Sequence, residues 1–191
     1  KLPPDQHAAR KSVLRERRAE AYTVLGRWKE SAEDYHAARE VCRGSGDLEG
    51  ECRALISICI VAQSARDIES MERYNPEARA VAEKTGNQIL LARANHAWGI
   101  YSLVCGSLSQ AEASLDRALS IARERKHQSS LAASLTFRAI AHFWRSEYTT
   151  ADRVGAEAVA LAAGARDGFH LPLALYYPGL ARANSGRVSE A

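Results

Sequence analysis

The residues able to do chemistry in this chain are few and scattered. Cysteine supplies a thiolate nucleophile or a metal ligand, and there are four, Cys42, Cys52, Cys59 and Cys105. None forms a C-x-x-C pair, and no histidine stands where it would complete a zinc site. The pattern predicts small apolar packing residues in a reducing compartment. The histidines are no better grouped. His36, His127 and His170 fall at solvent-facing or loop positions, His142 lies two residues from Trp144 as a candidate packing residue, and His96 follows Arg93 by three. There is no glycine-rich phosphate cradle, no H-E-x-x-H, no nucleophile elbow and no convergent set of histidine and carboxylate at helical spacing. The sequence argues against an enzyme, with no cofactor and no metal.

The elements that must position these side chains are helices. The 191 residues are 46% hydrophobic and 26% charged, enough for a folded chain with a substantial core. Only 12 glycines and 5 prolines occur, few segments alternate polar and apolar, and Ala, Leu, Arg and Glu dominate, so the class is all-α. The net charge of +3 comes from 26 basic and 23 acidic residues mixed along the helices, which speaks against a nucleic-acid partner. No apolar run approaches the ~18 residues of a membrane span, and no charged-then-apolar leader opens the chain. A cytoplasmic location is the expectation.

An internal repeat of 40 residues organises the helices. One column holds Ala38, Ala78, Ala118 and Ala158; a second holds Ser31, Met71, Ala111, Ala151 and Ala191; a third holds Ala19, Cys59, Gly99, Ala139 and Gly179. A turn column holds Gly26, Arg66, Gly106, Ser146 and Gly186, followed two residues later by Trp28, Ile68, Leu108, Tyr148 and Val188. Boundaries recur at Asp47, Asn87, His127 and Asp167. Each column has a physical reason: antiparallel helices approach closely only at small side chains, glycine ends the first helix in a left-handed cap, and the large residue after the turn anchors the second helix.

The strings GRWKESAEDYHAARE and GSLSQAEASLDRALSIARE resemble the second half of a tetratricopeptide repeat, and WGIYSLVCG resembles its first half. Gly99, Gly106, Leu108, Ala111, Leu115 and Ala118 meet the family's positions in the third repeat. Ala19, Gly26, Trp28, Ser31, Tyr35 and Ala38 meet most of them in the first. The usual period is about 34, so a 40-residue repeat carries longer helices, a variant similar to repeats of bacterial regulatory ATPases and cyclases. The resemblance implies a right-handed superhelical solenoid of antiparallel helix pairs, about four and a half repeats in one domain over 1–191, with repeats near 8–46, 47–86, 87–126, 127–166 and a truncated 167–191. First helices are expected near 8–24, 48–63, 88–104, 129–145 and 169–184, and second helices near 28–43, 68–85, 108–125 and 148–164. A further second helix starting at Val188 is cut at Ala191, and solenoid ends normally carry a polar cap. The expectation is a fragment of a larger protein, or an end that packs on another copy.

Two prolines depart from the pattern. Pro76 lies inside a second helix, where it either kinks a degenerate repeat or restarts a helix with Asn75 as its cap. Pro178 sits beside Gly179 in the middle of the fifth first-helix, where a kink is expected.

In the tetratricopeptide family the first helix of each pair lines a concave groove. Carried through the repeat, the groove positions are Glu16, Glu20 and Thr23; Arg53, Ile56, Ile60 and Gln63; Arg93, His96, Ile100 and Leu103; Thr136, Ile140 and Phe143; and Leu173, Tyr176 and Leu180. The resemblance thus implies an apolar stripe with arginines and a histidine along one edge, suited to a protein or peptide partner with an acidic group near Arg53 and Arg93. The alternative is that the longer helices curl tightly and these residues pack on one another. The chaperone-binding members hold a terminal carboxylate with lysines, asparagines and an arginine; the matching Glu16, Glu20, Ser57, Ile60 and Arg93 keep one basic residue, which argues against that role. The implied function is a non-enzymatic interaction scaffold in a larger signalling protein. Two others stay open: a small-ligand sensor using Trp98, Trp144, Tyr176 and Arg93, and homo-oligomerisation through the uncapped C-terminal end.

Overall fold

The computed structural model describes residues 4–164 and 170–186, with side chains described from residue 10. Among these residues there are nine helices and no strand: α1 Pro4–Val24, α2 Trp28–Ser45, α3 Leu48–Ala65, α4 Ile68–Thr85, α5 Gln88–Val104, α6 Leu108–Glu124, α7 Gln128–Trp144, α8 Tyr148–Gly164 and α9 His170–Asn184. Turns of two or three residues join α1 through α8, so each helix must fold back on the one before it. The expected boundary at Asp167 and the helix expected from Val188 lie outside the described residues.

The turns are built on one plan. Gly26, Arg66, Gly106, Ser146 and Gly186 all take positive φ, as do Gly46, Gly86 and Lys126. Among the described residues the left-handed residue thus recurs every 20 positions from Gly26 to Ser146, at the end of each of α1 to α7, and again at Gly186 after α9. The next residue then donates its N–H back into the helix, as in Asp47 to Cys42 O at 2.9 Å, Asp67 to Ala62 O at 2.8 Å and Ser107 to Ser102 O at 2.8 Å. These bonds satisfy the last carbonyls of each helix. The boundary column then caps the helix that follows: Asp47 accepts from Gly50 N at 2.9 Å, Asn87 from Ile89 N at 3.0 Å and His127 Nδ1 from Ser130 N at 3.2 Å. Arg66, at φ 58, carries a Cβ where glycine is strain-free. Arg66→Gly is expected to stabilise the protein by ~1 kcal/mol, read as a melting temperature raised by about 3 °C.

The chain divides into two compact units, Lys1–Ala97 and Trp98–Ala191. In the first, α1 packs on α2, α2 on α3 and α3 on α4. Its core gathers Tyr35, Leu55, Ile58, Val61, Tyr74 and Leu90. In the second, α6 packs on α7, α7 on α8, and α9 on both α7 and α8, around Leu119, Leu135, Val154, Ala158 and Ala174. The small-residue columns are contact positions: Ala38, Ala78, Ala118 and Ala158 are each fully buried, as are Ser31, Ala111 and Ala151. At Gly99 an added Cβ would stand 2.7 Å from Leu115 Cγ, so glycine there is a requirement of packing.

Both prolines sit inside unbroken helices. α4 runs through Pro76 without restarting at Asn75, whose buried Nδ2 donates to Met71 O at 2.8 Å. Pro76 itself is exposed, so water can reach the Glu72 carbonyl that loses its helical donor. Pro178 is buried, with its ring against Gly155 of α8.

Candidate binding surface

In the first unit the relevant first-helix residues come from α1, α3 and the 88–97 part of α5. Ile56 and His96 are buried within the chain, whereas Ile60, Gln63 and Arg93 are half-buried and Arg53 keeps 38% of its side chain exposed. Thr23 is spent locally, bonding Ala19 O at 2.9 Å and Ser31 Oγ at 2.7 Å. Glu20 lies in the open, paired with Arg17 at 3.0 Å. Arg53 stands 3.8 Å from Glu16 and 4.0 Å from Asp47, at the outer limit of an ion pair. Burial pushes the Glu16 carboxyl up, against the pull of Arg53, and its Oε1 is buried with no hydrogen-bond partner.

Several arginines of this protein are paired with carboxylates. Arg18 bonds Asp34, Arg39 bonds Glu77 with Glu51 at 3.7 Å, Arg138 reaches Glu112 at 2.7 Å and Asp116 at 2.8 Å, and Arg182 reaches Asp152 at 2.7 Å. Arg93 does not: it has no hydrogen bond or ion pair among the described residues. Burial pulls its guanidinium down from the usual arginine range; Cys52 and Tyr35 oppose this, and Arg53 adds to it.

In the second unit the first-helix residues come from 98–104, α7 and α9. Ile100, Leu103, Thr136 and Ile140 are all buried, and Thr136 bonds back to Ala132 O at 2.9 Å. Phe143, Leu173 and Leu180 are half-buried, and Tyr176 is 60% exposed. Phe143 anchors a run of rings that the groove positions alone did not disclose. Its centroid lies 5.6 Å from Tyr148 and 5.7 Å from Tyr177, and Tyr177 meets Tyr176 edge-on at 5.3 Å. Tyr148 opens α8 and Tyr177 follows Tyr176, so the available signal was their adjacency to residues already marked. Trp144 and Leu175 add exposed apolar surface.

The other chemistry-bearing residues are held in packing. Cys42, Cys52 and Cys59 are buried and free, and burial pushes the Cys52 thiol up to about 11 and Cys59 up to about 12, so neither is a thiolate at neutral pH. Cys105 is exposed. His142 pairs with Glu147 at 2.6 Å, and His36 is half-buried against Tyr74 at 5.1 Å. Among the described residues no three His, Cys, Asp or Glu side chains converge to hold a metal, and no helix is long and apolar enough to cross a membrane.

No protein-family model and no curated protein matches the sequence. Solved structures do resemble it. Aspartyl phosphate phosphatase F from Bacillus subtilis matches with a TM-score of 0.73 at 14% identity, over 98% of this chain and 49% of that one. A Podosopora anserina putative kinesin light chain with nearly identical TPR-like repeats matches at 0.66 with 15% identity, over 99% and 92%. BtubC from P. vanneervenii matches at 0.66 with 12% identity, over 98% and 85%. This chain therefore spans about half the length of the phosphatase. At these identities the likeness shows the fold, an all-α helical-repeat solenoid of the tetratricopeptide-like kind.

Proposed function

We propose that this chain is a non-enzymatic protein-interaction scaffold, the regulatory or sensor part of a larger cytoplasmic bacterial signalling protein, which holds a peptide or helix against its first helices. The 20-residue recurrence of left-handed turn residues supports the likeness to the longer-helix repeats of bacterial regulators. Apolar surface left open on the first helices carries the binding reading. Tyr176 at 60%, Leu175 at 56% and Trp144 at 45% exposure lie on α7 and α9, with Phe143 and Tyr177 behind Tyr176. Rigid aromatics left part-exposed are the side chains that anchor partner segments.

A library of randomised 12-residue peptides displayed on phage, selected against the chain, supplies the binders. Tyr176→Ala is expected to weaken the enriched peptides by about tenfold or more while leaving the melting temperature unchanged, since Tyr176 contributes little to the core. Unchanged affinity in Tyr176→Ala and in Ile60→Ser together would rule the surface out. Ile100 and Ile140 are unsuitable for this test, because both are buried and a polar substitution would report on folding.

A further inference from the structure

We propose that the outer face of α1 is a second docking surface, which takes an acidic amphipathic helix of a separate partner protein in the place that a second helix holds against the first helix after it. Arg10, Leu14, Arg17 and Ala21 are spaced by four, three and four residues and so share one face of α1. All four are exposed, Leu14 to 62%. The repeat shows what belongs against them. Arg10 stands in the column of Gly50 on α3, where an added Cβ would lie 2.6 Å from Cys42 Sγ on α2. Leu14 stands in the column of Ala174 on α9, which is 1% exposed and lies in one cluster with Val154 and Ala158 of α8. Both places face the preceding second helix, and α1 has none among the described residues.

The side chains on this face set the chemistry of its occupant. A face that stayed covered would hold two guanidiniums out of water at a cost, so Arg10 and Arg17 fit a helix that comes and goes and brings carboxylates. Between Arg10 and Val24, α1 carries five basic and two acidic side chains, and Asp34 of α2, which Arg18 takes, leaves the excess positive. Arg17 is held by the exposed Glu20 at 3.0 Å, a pair that gives way easily. The chain already contains one such meeting: α6 lays Glu112 and Asp116 on Arg138 of α7 at 2.7 and 2.8 Å, and Arg138 stands in the column of Arg18. Arg10 and Arg17 lie about 10 Å apart along the helix axis, so the matching carboxylates stand seven residues apart on the partner. Leu14 between them is larger than Ala174, so the partner sets alanine or glycine against it.

The test is a phage library of alanine-rich peptides of about 18 residues, long enough to be helical and randomised along one face. It is selected against the full chain and depleted on Leu14→Asp, which is expected to keep the parent's melting temperature because Leu14 is exposed. The surviving peptides are expected to share two acidic positions seven residues apart with alanine or glycine between them. They are expected to bind the double variant Arg10→Gln, Arg17→Gln about fivefold more weakly and with less dependence on salt. Tyr176→Ala is expected to leave their affinity unchanged; a loss there would place them on the aromatic surface of α7 and α9 and overturn the α1 site. No survivors, survivors without the acidic pair, or full affinity for the double variant would each overturn it as well, with the aromatic surface left standing. In sedimentation the chain alone is expected to have the same mass as Leu14→Asp. A larger assembly that Leu14→Asp dissolves would make a second copy the occupant and overturn the partner helix.

Discussion

Replacing Gly155 with alanine is expected to cost ~3 kcal/mol and to lower the melting temperature of the second unit by about 10 °C. A Cβ built on Gly155 overlaps Pro178 Cγ and lies 3.1 and 3.2 Å from the neighbouring ring carbons. A proline ring fixed in the middle of α9 has no rotamer by which to withdraw, so α8 and α9 must separate. The contact belongs to both residues, which makes it testable as a pair. Pro178→Ala alone restores a helical N–H to α9 but opens a void at Gly155. In the background of Gly155→Ala the same change removes the collision, so it is expected to help there by ~1 kcal/mol or more beyond its effect in the parent protein. Thermal melts of the four proteins measure the coupling. Additive effects would mean that the helices have room to give.

That contact marks the boundary of what the sequence discloses about this fold. Starts and stops of the helices are legible because they rest on local chemistry. A residue that tolerates positive φ, an Asp or Asn two residues before a helix's second position and a large apolar residue after the turn act within a few residues of one another. Even His127 and Arg66, poor cap and turn residues by type, are identified by their column. Packing partners are less legible, because a repeat fixes the direction in which a side chain points and says nothing of the volume that meets it. Gly155 occupies the column of Tyr35, Asn75 and Leu115, and Pro178 neighbours the column of Ala19, Cys59 and Gly99. Each looks like a separate lapse in a degenerate repeat. Together they are one contact, between α8 and the helix that follows it, whereas Leu115 in the column of Gly155 meets Gly99 on the helix before it.

The candidate surface follows the same division. Family positions select Ile60, Arg93, Phe143, Tyr176 and Leu180, which retain solvent exposure, together with Ile56, Ile100, Leu103, Thr136 and Ile140, which do not. Apolar character cannot separate the two groups, since a long helix uses the same side-chain types for its own core and for a partner.

Asp34→Ala is expected to destabilise the first unit by about 2 kcal/mol, and the loss is expected to depend on pH. Asp34 is 4% exposed on α2 and receives Arg18 Nε at 2.5 Å and Arg18 Nη2 at 2.6 Å, a two-point bond that ties α1 to α2, with Arg15 at 3.5 Å. This cost stays well below that of breaking a fully buried pair, because Arg18 keeps 59% of its side chain in water and would rehydrate once its partner is gone. The Arg18 hydrogen bond holds the Asp34 carboxyl below the ordinary aspartate value, with burial opposing and the charges of Arg18 and Arg15 assisting. A carboxyl depressed in the folded state contributes its stability fully above its unfolded value of about 4 and loses it as pH falls through the folded value. The parent protein and Asp34→Ala should therefore differ in melting temperature at pH 7 and converge as pH drops below about 4. A difference that stays constant from pH 7 to pH 2.5 would mean that Asp34 acts by filling space between α1 and α2. Asp34→Asn separates the two cases, since it keeps the volume and one acceptor while removing the charge that makes the Arg18 bond strong.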